Sequence, residues 1–212
     1  MNKFKLLIII IILSSSFNSY GQISYGEIKN KIQNYIISKN ISKPDTFVYI
    51  DSKLQKLFLI KDTVIIMQYD ISTAKAGASF SAEFNSYKTP LGLHKIESKI
   101  GDNLPIGNII KMKKILDSTS AIFKYGDTVP NDIEDIIMTR VLVLYGLEKG
   151  INKGKNNYGK IIDTFYRGIY IHGTNNEAEI GNANSHGCIR MRNQDIIELY
   201  DLLILNTIIL IL

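Results

Sequence analysis

Two of the three histidines and the only cysteine lie close together near the C-terminal end of the chain. His172 follows the apolar run Ile169-Tyr170-Ile171, and a loop rich in Gly, Asn and Ser separates it from Cys188. His186 stands two residues before the cysteine. A thiol attacks a carbonyl usefully only as the thiolate, so a nucleophilic cysteine needs a base or a positive neighbour. We therefore interpret this stretch as a cysteine active site, with either histidine as its base.

Three neighbours of Cys188 suit acyl transfer. Gly187 removes side-chain bulk beside the thiol, and the backbone N–H groups of Gly187 and Cys188 could stabilise an oxyanion. Arg190 is a permanent cation that could orient a substrate carboxylate or hold the loop by hydrogen bonds. Ser185 could position a histidine. A nucleophile, two candidate bases and electrostatic partners thus occupy one short part of the sequence.

Zinc binding is the rival chemistry for the same residues. His172, His186 and Cys188 offer three ligands, but the chain has no second cysteine, and a structural zinc site uses four ligands. A purely structural cluster, with a cysteine buried as a small hydrophobic group, is the other alternative. The polar Ser-His-Gly-Cys context favours a reactive thiol. We therefore expect neither a metal nor another cofactor.

The N-terminus has the pattern of a secretory signal peptide. Met1–Lys5 carries two positive charges and precedes the apolar run Leu6–Leu13, which is shorter than the roughly 20 residues that cross a bilayer. Ser19-Tyr20-Gly21 predicts cleavage of residues 1–21, with an uncleaved anchor as the alternative because no Ala-x-Ala site is present. An exported protein with one cysteine forms no internal disulfide, which again indicates a reactive thiol at Cys188.

Composition predicts one globular domain after the leader. Hydrophobic residues make up 45% of the chain and charged residues 21%, as in ordinary soluble proteins. Removal of residues 1–21 takes away two lysines and no acid, so the formal charge falls from +5 to +3. Because the remaining Lys and Arg are scattered among acids, we do not expect a nucleic-acid partner. No stable membrane span is expected once the leader is cleaved.

Short apolar and aromatic runs separated by turn residues predict a mainly β fold. The predicted strands are residues 46–50, 56–60, 64–69, 89–96, 136–145, 169–172 and 207–212. The stretch 72–88 is expected to be a loop close to the site, and 98–130 a long excursion without clear periodicity. Amphipathic helices are predicted at 26–40 and at 194–203, and Asn193 is expected to cap the second.

Two polar residues lie inside predicted strands away from the cysteine. His94 is expected to be packed or solvent-facing, because no second reactive residue is near it in the sequence. Arg140 interrupts an apolar run and needs a partner, since an unpaired buried charge is expensive. A site carboxylate, a substrate or exposure at a sheet edge would satisfy it.

Taken together, the motifs resemble the catalytic domain of the L,D-transpeptidases, the YkuD-type family that cross-links peptidoglycan. The resemblance is carried by His172-Gly173-Thr174, Gly181 and Ser185-His186-Gly187-Cys188-Ile189-Arg190-Met191. Further similar segments follow the same order along the chain, namely Thr89-Pro90-Leu91-Gly92, residues 100–107, Thr139-Arg140 and residues 195–212. The resemblance therefore extends over about residues 46–212.

The resemblance implies a mainly β, sandwich-like fold with a few short helices. It implies a catalytic domain at 46–212, which an N-terminal helical segment at 22–45 precedes. It also implies that Cys188 is the nucleophile and that His172 exchanges the proton, oriented by the carbonyl of Gly173. Gly173, Ser185, His186, Gly187 and Arg190 match the supporting positions. The residues alone leave the two histidines equal, whereas the resemblance favours His172.

The implied reaction is an acyl transfer in two steps. The thiolate of Cys188 attacks the carbonyl between the third residue of a donor stem tetrapeptide and its terminal D-alanine, and D-alanine leaves. The acceptor is an amine of a neighbouring peptidoglycan stem peptide, a lysine of an outer-membrane lipoprotein, a free D-amino acid or water. Transfer to water would make the protein an L,D-carboxypeptidase. A silent wall-binding module is the alternative outside enzymes. The family also implies the periplasm or cell envelope as the location, a role in cell shape, and acylation by carbapenems.

Overall fold

A computed structural model describes residues 25–39, 44–130 and 133–212. The predicted signal peptide at 1–21 and its cleavage point lie outside the described residues. The chain divides into two compact units, Met1–Ile41 and Ser42–Leu212. Neither helix in the described ranges has the length and apolar character that a membrane span requires.

The first unit contains helix α1, Tyr25–Ser38. The predicted helix at 26–40 is confirmed, except that its last predicted residue, Asn40, lies outside the described residues. Ile28, Ile32 and Ile36 recur at every fourth position and therefore lie on one face of the helix.

The described part of the second unit is mainly β, with strands β1 to β12 and helix α2 at Asn193–Leu202. The strands are β1 Thr46–Asp51, β2 Lys56–Lys61, β3 Val64–Asp70, β4 Ala78–Ser79, β5 Thr89–Pro90, β6 Gly92–Ile100, β7 Asn108–Lys111, β8 Lys114–Thr119, β9 Ile137–Gly146, β10 Tyr170–Thr174, β11 Ile189–Met191 and β12 Ile208–Ile211. All seven predicted strands are present, and the predicted mainly β fold with a few helices is confirmed.

The main sheet has the strand order β11-β10-β9-β6-β12-β1-β2-β3, and β7 joins it through β9. β1 and β12 are parallel, as are β10 and β11, whereas the other neighbours along this path are antiparallel. Ser72, just after β3, exchanges backbone hydrogen bonds of 3.0 and 2.9 Å with Arg190 of β11. The two ends of the sheet therefore meet, and the sheet curls around one core in a sandwich-like arrangement.

The core beneath the sheet draws on strands from both of its ends. Side chains of β1, β2, β9, β10 and β11 form one buried cluster, and α2 adds its apolar face to it. Fully buried members from these elements include Ile50, Leu59, Leu142, Ile171, Ile189, Ile196 and Leu199. Because β10 and β11 each send an apolar side chain into this cluster, the core fixes the strands that carry the candidate site residues.

The stretch 98–130 is more ordered than its sequence predicts. β6 continues to Ile100, and β7 and β8 form an antiparallel hairpin. Every residue of β8 is exposed. A strand that buries neither face has no reason to alternate apolar and polar residues, so β8 leaves no period-two pattern in the sequence. β7 buries only Ile110, which is too little to produce such a pattern.

The expectation that Asn193 caps α2 is wrong. The helix begins at Asn193 and its N-cap residue is Arg192, which makes no side-chain capping hydrogen bond. Instead, the backbone N–H of Asn193 donates to the Glu177 carboxylate at 2.7 Å. A carboxylate from another segment thus satisfies the positive end of the helix, and the side chain of Asn193 remains available for other contacts.

The two isolated polar residues have structural partners. His94 is fully buried, with Nδ1 3.0 Å from the Gly92 carbonyl oxygen and Nε2 3.1 Å from the Thr164 hydroxyl. Burial lowers its pKa to about 4, so it is a neutral packed histidine, the first of the two alternatives that the sequence left open. Arg140 donates to the carbonyl oxygens of Leu104 and Thr139 at 2.9 and 2.7 Å, so backbone groups take the place of the expected partners.

Truncation of a core side chain in the middle of β9 should destabilise the second unit strongly. Leu142 is fully buried, and Leu142→Ala is expected to lower the free energy of unfolding by about 2–5 kcal/mol. Ile66→Ala is the matched control, because Ile66 is 45% exposed on β3 and should change stability by less than about 1 kcal/mol. Chemical denaturation of both variants measures the difference, and equal effects would contradict the described core.

Candidate active site

His172 lies in the middle of β10, whereas the sequence placed it at the end of a strand. Its backbone neighbours are Val141 on the antiparallel strand β9 and Arg190 on the parallel strand β11. Its side chain is fully buried. Strand pairing on both sides holds the backbone of His172 in place, so the direction of the imidazole is determined by the sheet.

The imidazole of His172 is prepared to accept a proton. Nδ1 is 2.8 Å from the carbonyl oxygen of Gly173, and because a carbonyl can only accept, Nδ1 carries the hydrogen. Nε2 therefore presents its lone pair, and this buried atom has no hydrogen-bond partner among the described residues. Burial lowers the pKa of His172, as does Arg190, whereas Asp135 and the Gly173 carbonyl oppose the shift. The ring is neutral at neutral pH.

A β-bulge in β9 lies opposite His172. The pairing register shifts because β9 carries Thr139 and Arg140 between the partners of His172 and of the residue after it. Thr139 has a φ of 68°, which is unfavourable for a β-branched residue. Its hydroxyl donates to Asn193 Oδ1 at 2.6 Å and accepts the Gly107 N–H at 3.0 Å. These bonds hold a bulge of the kind that redirects a side chain beside an active site.

Gly173 leaves room for the side chain that organises this region. A Cβ atom at Gly173 would lie 2.4 Å from Asn193 Oδ1 and 2.9 Å from the Met138 carbonyl oxygen. Asn193 Nδ2 donates to the carbonyl oxygen of Thr174 and to the Glu177 carboxylate at 2.8 and 2.7 Å. Any side chain at Gly173 would displace Asn193 from β9 and β10 together.

The segment from Ser185 to Cys188 is a bend, not the extended strand that would place His186 and Cys188 on one face. Ser185 Oγ donates to the Cys188 carbonyl oxygen at 2.6 Å and accepts the Gly187 N–H at 3.2 Å. Ser185 thus shapes the bend instead of positioning a histidine. The Gly187 N–H, expected at an oxyanion, is occupied by this bond. Gly187 has a φ of 129°, and a Cβ there would lie 3.2 Å from Ile169 Cδ1.

The thiol of Cys188 is half-buried next to the start of β10. Its Sγ lies 3.5 Å from the carbonyl oxygen of Gly168. Burial raises the pKa of Cys188 to about 11, although the backbone N–H of Tyr170 and the cations Arg190 and Arg167 oppose the shift. At neutral pH the thiol is protonated. The resting site therefore contains a neutral thiol and a neutral imidazole.

Arg190 is neutralised inside the protein. Its Nε donates to Asp135 Oδ2 at 2.7 Å, and the two side chains are 4% and 16% exposed. Asp135 also accepts from the Thr174 hydroxyl at 3.1 Å, so it is tied to β10. Both Asp135 and Arg190 affect the pKa values of His172 and Cys188, which puts thiol and imidazole in one electrostatic environment. Arg190 holds the segment before β9, the second of the two roles that the sequence allowed.

Sequence reasoning missed Asp135 and Arg167. The sequence signal for Asp135 is its position directly before the predicted strand 136–145. Glu134 stands next to Asp135, however, and nothing in the sequence distinguishes the two acids. Arg167 has no motif around it, and only its position shortly before His172 places it near the site. Tyr170 is a further neighbour, since burial and the adjacent Cys188 raise the pKa of its phenol.

His186 differs from His172 in its surroundings. It is exposed, and its ring packs edge to face against Tyr87 with 5.9 Å between the ring centroids. Both rings line a cleft of about 900 Å³, together with Lys75, Ala76, Ile133, Asp135, Asn176, Asn184, Ser185 and Arg190. The predicted loop 72–88 thus contributes to the rim of the site.

A second groove of about 730 Å³ is lined by Tyr170 and by Gly168, whose carbonyl oxygen lies next to Cys188 Sγ. Its other lining residues are Lys113, Tyr145, Gly154, Lys155, Ile161, Asp163, Phe165 and Tyr166. The thiol consequently has one groove on the side of the Ser185–Cys188 bend and another on the side of the turn before β10. Among the described residues, no group of three His, Cys, Asp or Glu side chains is close enough together to hold a metal ion.

The L,D-transpeptidase catalytic domain model, YkuD, matches residues 45–211. The chain therefore belongs to the YkuD family of L,D-transpeptidase catalytic domains.

Individual relatives are similar over different lengths. The YkuD protein of Bacillus subtilis (strain 168) is 72% identical over 29 residues, which is 14% of this chain and 18% of that protein. The YkuD protein of Bacillus licheniformis is 26% identical over 165 residues, covering 63% of this chain and 92% of that protein.

Solved structures of similar fold include an L,D-transpeptidase from Mycobacterium smegmatis, with a TM-score of 0.46 and 12% identity over 81% of this chain and 60% of that chain. Another is the E. faecium catalytic domain acylated by ertapenem, with a TM-score of 0.45 and 16% identity over 81% of this chain and 99% of that chain. The match thus spans less than two thirds of the Bacillus subtilis protein and of the Mycobacterium smegmatis chain.

The raised pKa of Cys188 predicts a characteristic pH dependence of alkylation. Because only the thiolate reacts, the rate with iodoacetamide should rise about tenfold per pH unit and level off near pH 11. An ordinary cysteine levels off about two units lower. Cys188→Ser provides the control, since the chain has no other cysteine to be labelled. A plateau below pH 8 would contradict the neutral resting pair.

Proposed function

We propose that this protein is a peptidoglycan L,D-transpeptidase that uses Cys188 as nucleophile and His172 as its base. The observation that carries the proposal is the buried, neutral His172, whose Nε2 lone pair has no partner among the described residues and which shares Asp135 and Arg190 with the thiol. A family of L,D-transpeptidase domains supplies the substrate class, a stem tetrapeptide ending in D-alanine.

In the first step His172 Nε2 takes the proton of the thiol while Sγ attacks the carbonyl carbon before the terminal D-alanine. The imidazolium that forms is stabilised by its Nδ1–H bond to Gly173 and by the nearby Asp135 carboxylate. The tetrahedral intermediate then collapses, the bond to the D-alanine nitrogen breaks, and Nε2 returns the proton to this leaving amine. The product is a thioester on Cys188.

In the second step an amine attacks the thioester carbonyl, His172 removes its proton, and the thiol is regenerated as the new amide forms. The two grooves, one beside the Ser185–Cys188 bend and one beside the turn before β10, support this step, because the donor can remain in one while an acceptor enters the other. The acceptor is a stem-peptide amine, a lysine of an outer-membrane lipoprotein or a free D-amino acid. Transfer to water, the L,D-carboxypeptidase reaction, is the second candidate.

The remaining motif residues support the site in this proposal. Ser185 and Gly187 shape the bend that carries the thiol, and Gly173 admits the side chain that braces β10. Arg190 holds Asp135 beside His172, while His186 lines the cleft that receives the donor. The proposal includes cleavage of residues 1–21, a helical segment at 22–45 and a catalytic domain at 46–212 acting in the periplasm or cell envelope.

Substitution of the two histidines should separate their roles. Cys188→Ala is expected to abolish D-alanine release from a tetrapeptide, and His172→Ala to lower kcat by about 100-fold or more, because the proton acceptor is lost. His186→Ala, the matched histidine variant, should retain most of kcat and raise KM, since its ring only lines the cleft. Intact-protein mass spectrometry with ertapenem gives a parallel readout, with an adduct on the wild type and none on Cys188→Ala. A fully active His172→Ala would transfer the base role to His186.

Product analysis tests the reaction itself. Purified protein is incubated with disaccharide tetrapeptide, and the products are followed by mass spectrometry. A cross-linked dimer is the expected product, and it should disappear in Cys188→Ala. Tripeptide alone would replace transfer by hydrolysis, and no product from the wild type would favour a wall-binding module. Addition of a chelator should leave the rate unchanged, and a loss of activity would revive the zinc alternative.

A further inference from the structure

Arg167 lies on the turn that leads into β10 and contacts the loop on the other side of the thiol. Its Nη2 donates to the carbonyl oxygen of Lys88 at 2.6 Å. The same atom is 4.0 Å from where a Cβ would stand on Gly187, the residue before Cys188. Lys88 follows Tyr87 of the first cleft, and Gly168 belongs to the second groove. The guanidinium therefore lies between the two grooves, next to the thiol.

The positive charge of Arg167 is not neutralised by the protein. Its Nη1 is buried and has no hydrogen-bond partner among the described residues, and no carboxylate of those residues pairs with it. Burial lowers its pKa to about 10, so it remains charged at neutral pH. An unpaired, partly desolvated cation is unfavourable, and it gains most when an anion enters and accepts its free N–H groups.

Other cations around the site do not offer the same opportunity. Arg190 is already bound to Asp135, so its charge is compensated inside the protein. Three lysines line the grooves, Lys75 in the first and Lys113 and Lys155 in the second, but all three are exposed, and a solvated ammonium gains little from an ion pair. Among these five cations, Arg167 alone combines a buried, free N–H group with proximity to Cys188.

We propose that Arg167 forms a carboxylate-binding subsite beside Cys188, which takes a carboxylate of the donor peptide close to the bond that is cleaved. The proposal rests on the function proposed above. In a tetrapeptide donor the terminal carboxylate is separated from the cleaved amide nitrogen by a single Cα atom, so a cation next to the thiol can reach it. A carboxylate on the side chain of the third residue is the second source of the same chemistry.

This subsite would restrict cleavage to the last residue of the donor. A peptide that continued beyond the fourth residue would place a neutral amide, and not a carboxylate, next to the guanidinium. The buried N–H groups of Arg167 would then have no anionic acceptor. Arg167 is thereby a specificity-determining residue, while Cys188 and His172 carry out the bond changes.

The direct test compares a tetrapeptide that ends in a free carboxylate with the same peptide ending in a carboxamide. For the wild type, kcat/KM is expected to favour the carboxylate by about tenfold or more, the effect of one charge-assisted hydrogen bond. Arg167→Gln should remove this preference by losing activity on the carboxylate peptide only, and Arg167→Lys should retain part of it. Unchanged selectivity in Arg167→Gln would overturn the subsite.

Arg192→Gln is the matched control for loss of one arginine. Arg192 is 41% exposed and pairs with Asp70 and Asp195, away from the thiol. The Arg192→Gln variant should keep the wild-type preference for the carboxylate peptide. A third peptide, amidated on the side-chain carboxylate of residue three, identifies the source. If the Arg167-dependent preference follows that carboxylate instead, the subsite holds the third residue.

A second measurement does not depend on catalysis. Cys188 is alkylated with iodoacetate and with iodoacetamide, and the ratio of the two rates reports the local cation, because any change in thiol pKa affects both reagents equally. Arg167→Gln should lower the ratio several-fold, while Arg192→Gln should not change it. Thermal melting confirms that each variant is folded, and Arg167→Lys serves if Arg167→Gln does not fold.

The two measurements separate the proposals. If Arg167→Gln changes the alkylation ratio but the wild type turns over neither peptide, the transpeptidase function is contradicted and the anion subsite is supported. If the wild type turns over the peptides but Arg167→Gln changes neither the peptide selectivity nor the alkylation ratio, the subsite alone is contradicted.

Discussion

Arg190 exchanges two backbone hydrogen bonds with Ser72 and pairs its guanidinium with Asp135. The backbone contacts bring the last strand of the sheet against the segment that follows β3, so the sheet curls around its core. The buried ion pair fixes the chain just before β9 against β11. Removal of one partner would leave an uncompensated buried charge, which is far more costly than loss of a surface pair. Scaffold and site therefore depend on the same residue.

Desolvation governs the resting state of the site. It lowers the pKa of His172 and raises that of Cys188 to about 11, so that each group is uncharged although a charged pair would also be chemically possible. A protonated thiol reacts slowly with oxidants, which suits an unpaired cysteine in the exported setting proposed here. In the proposed mechanism the proton therefore moves only when the sulfur attacks a substrate carbonyl. Nε2 needs no rearrangement for this, because the Gly173 carbonyl already fixes the tautomer.

Sequence patterns were informative where burial imposes a period. The predicted strands all coincide with strands of the structure, whereas the short strand β11 was not predicted. The sequence also brought Cys188 and His172 into one candidate site, although Cys188 lies in the bend before β11 and not on a strand. The hairpin β7–β8 left no pattern because every residue of β8 is exposed and β7 buries only Ile110. Asn193 resembled a helix cap, but its amide instead binds groups on β9 and β10 that are distant in sequence. Contacts of this kind follow from tertiary packing and have no local signal.

The two arginines at the site show the same limit most clearly. Arg190 lies in a recognisable motif, which suggested a substrate-binding cation, yet Asp135 neutralises it across 55 residues of sequence. Arg167 lies in no motif, yet no residue in the described part of the chain pairs with its buried Nη1 beside the thiol. A cation can bind a substrate anion only when no acidic side chain of the protein already pairs with it. Whether such a pair forms depends on which acidic side chains the fold places nearby. The presence of a cation in a sequence motif therefore does not make its charge available to a ligand. Here Arg190 lies in the motif, whereas Arg167 has the unpaired charge.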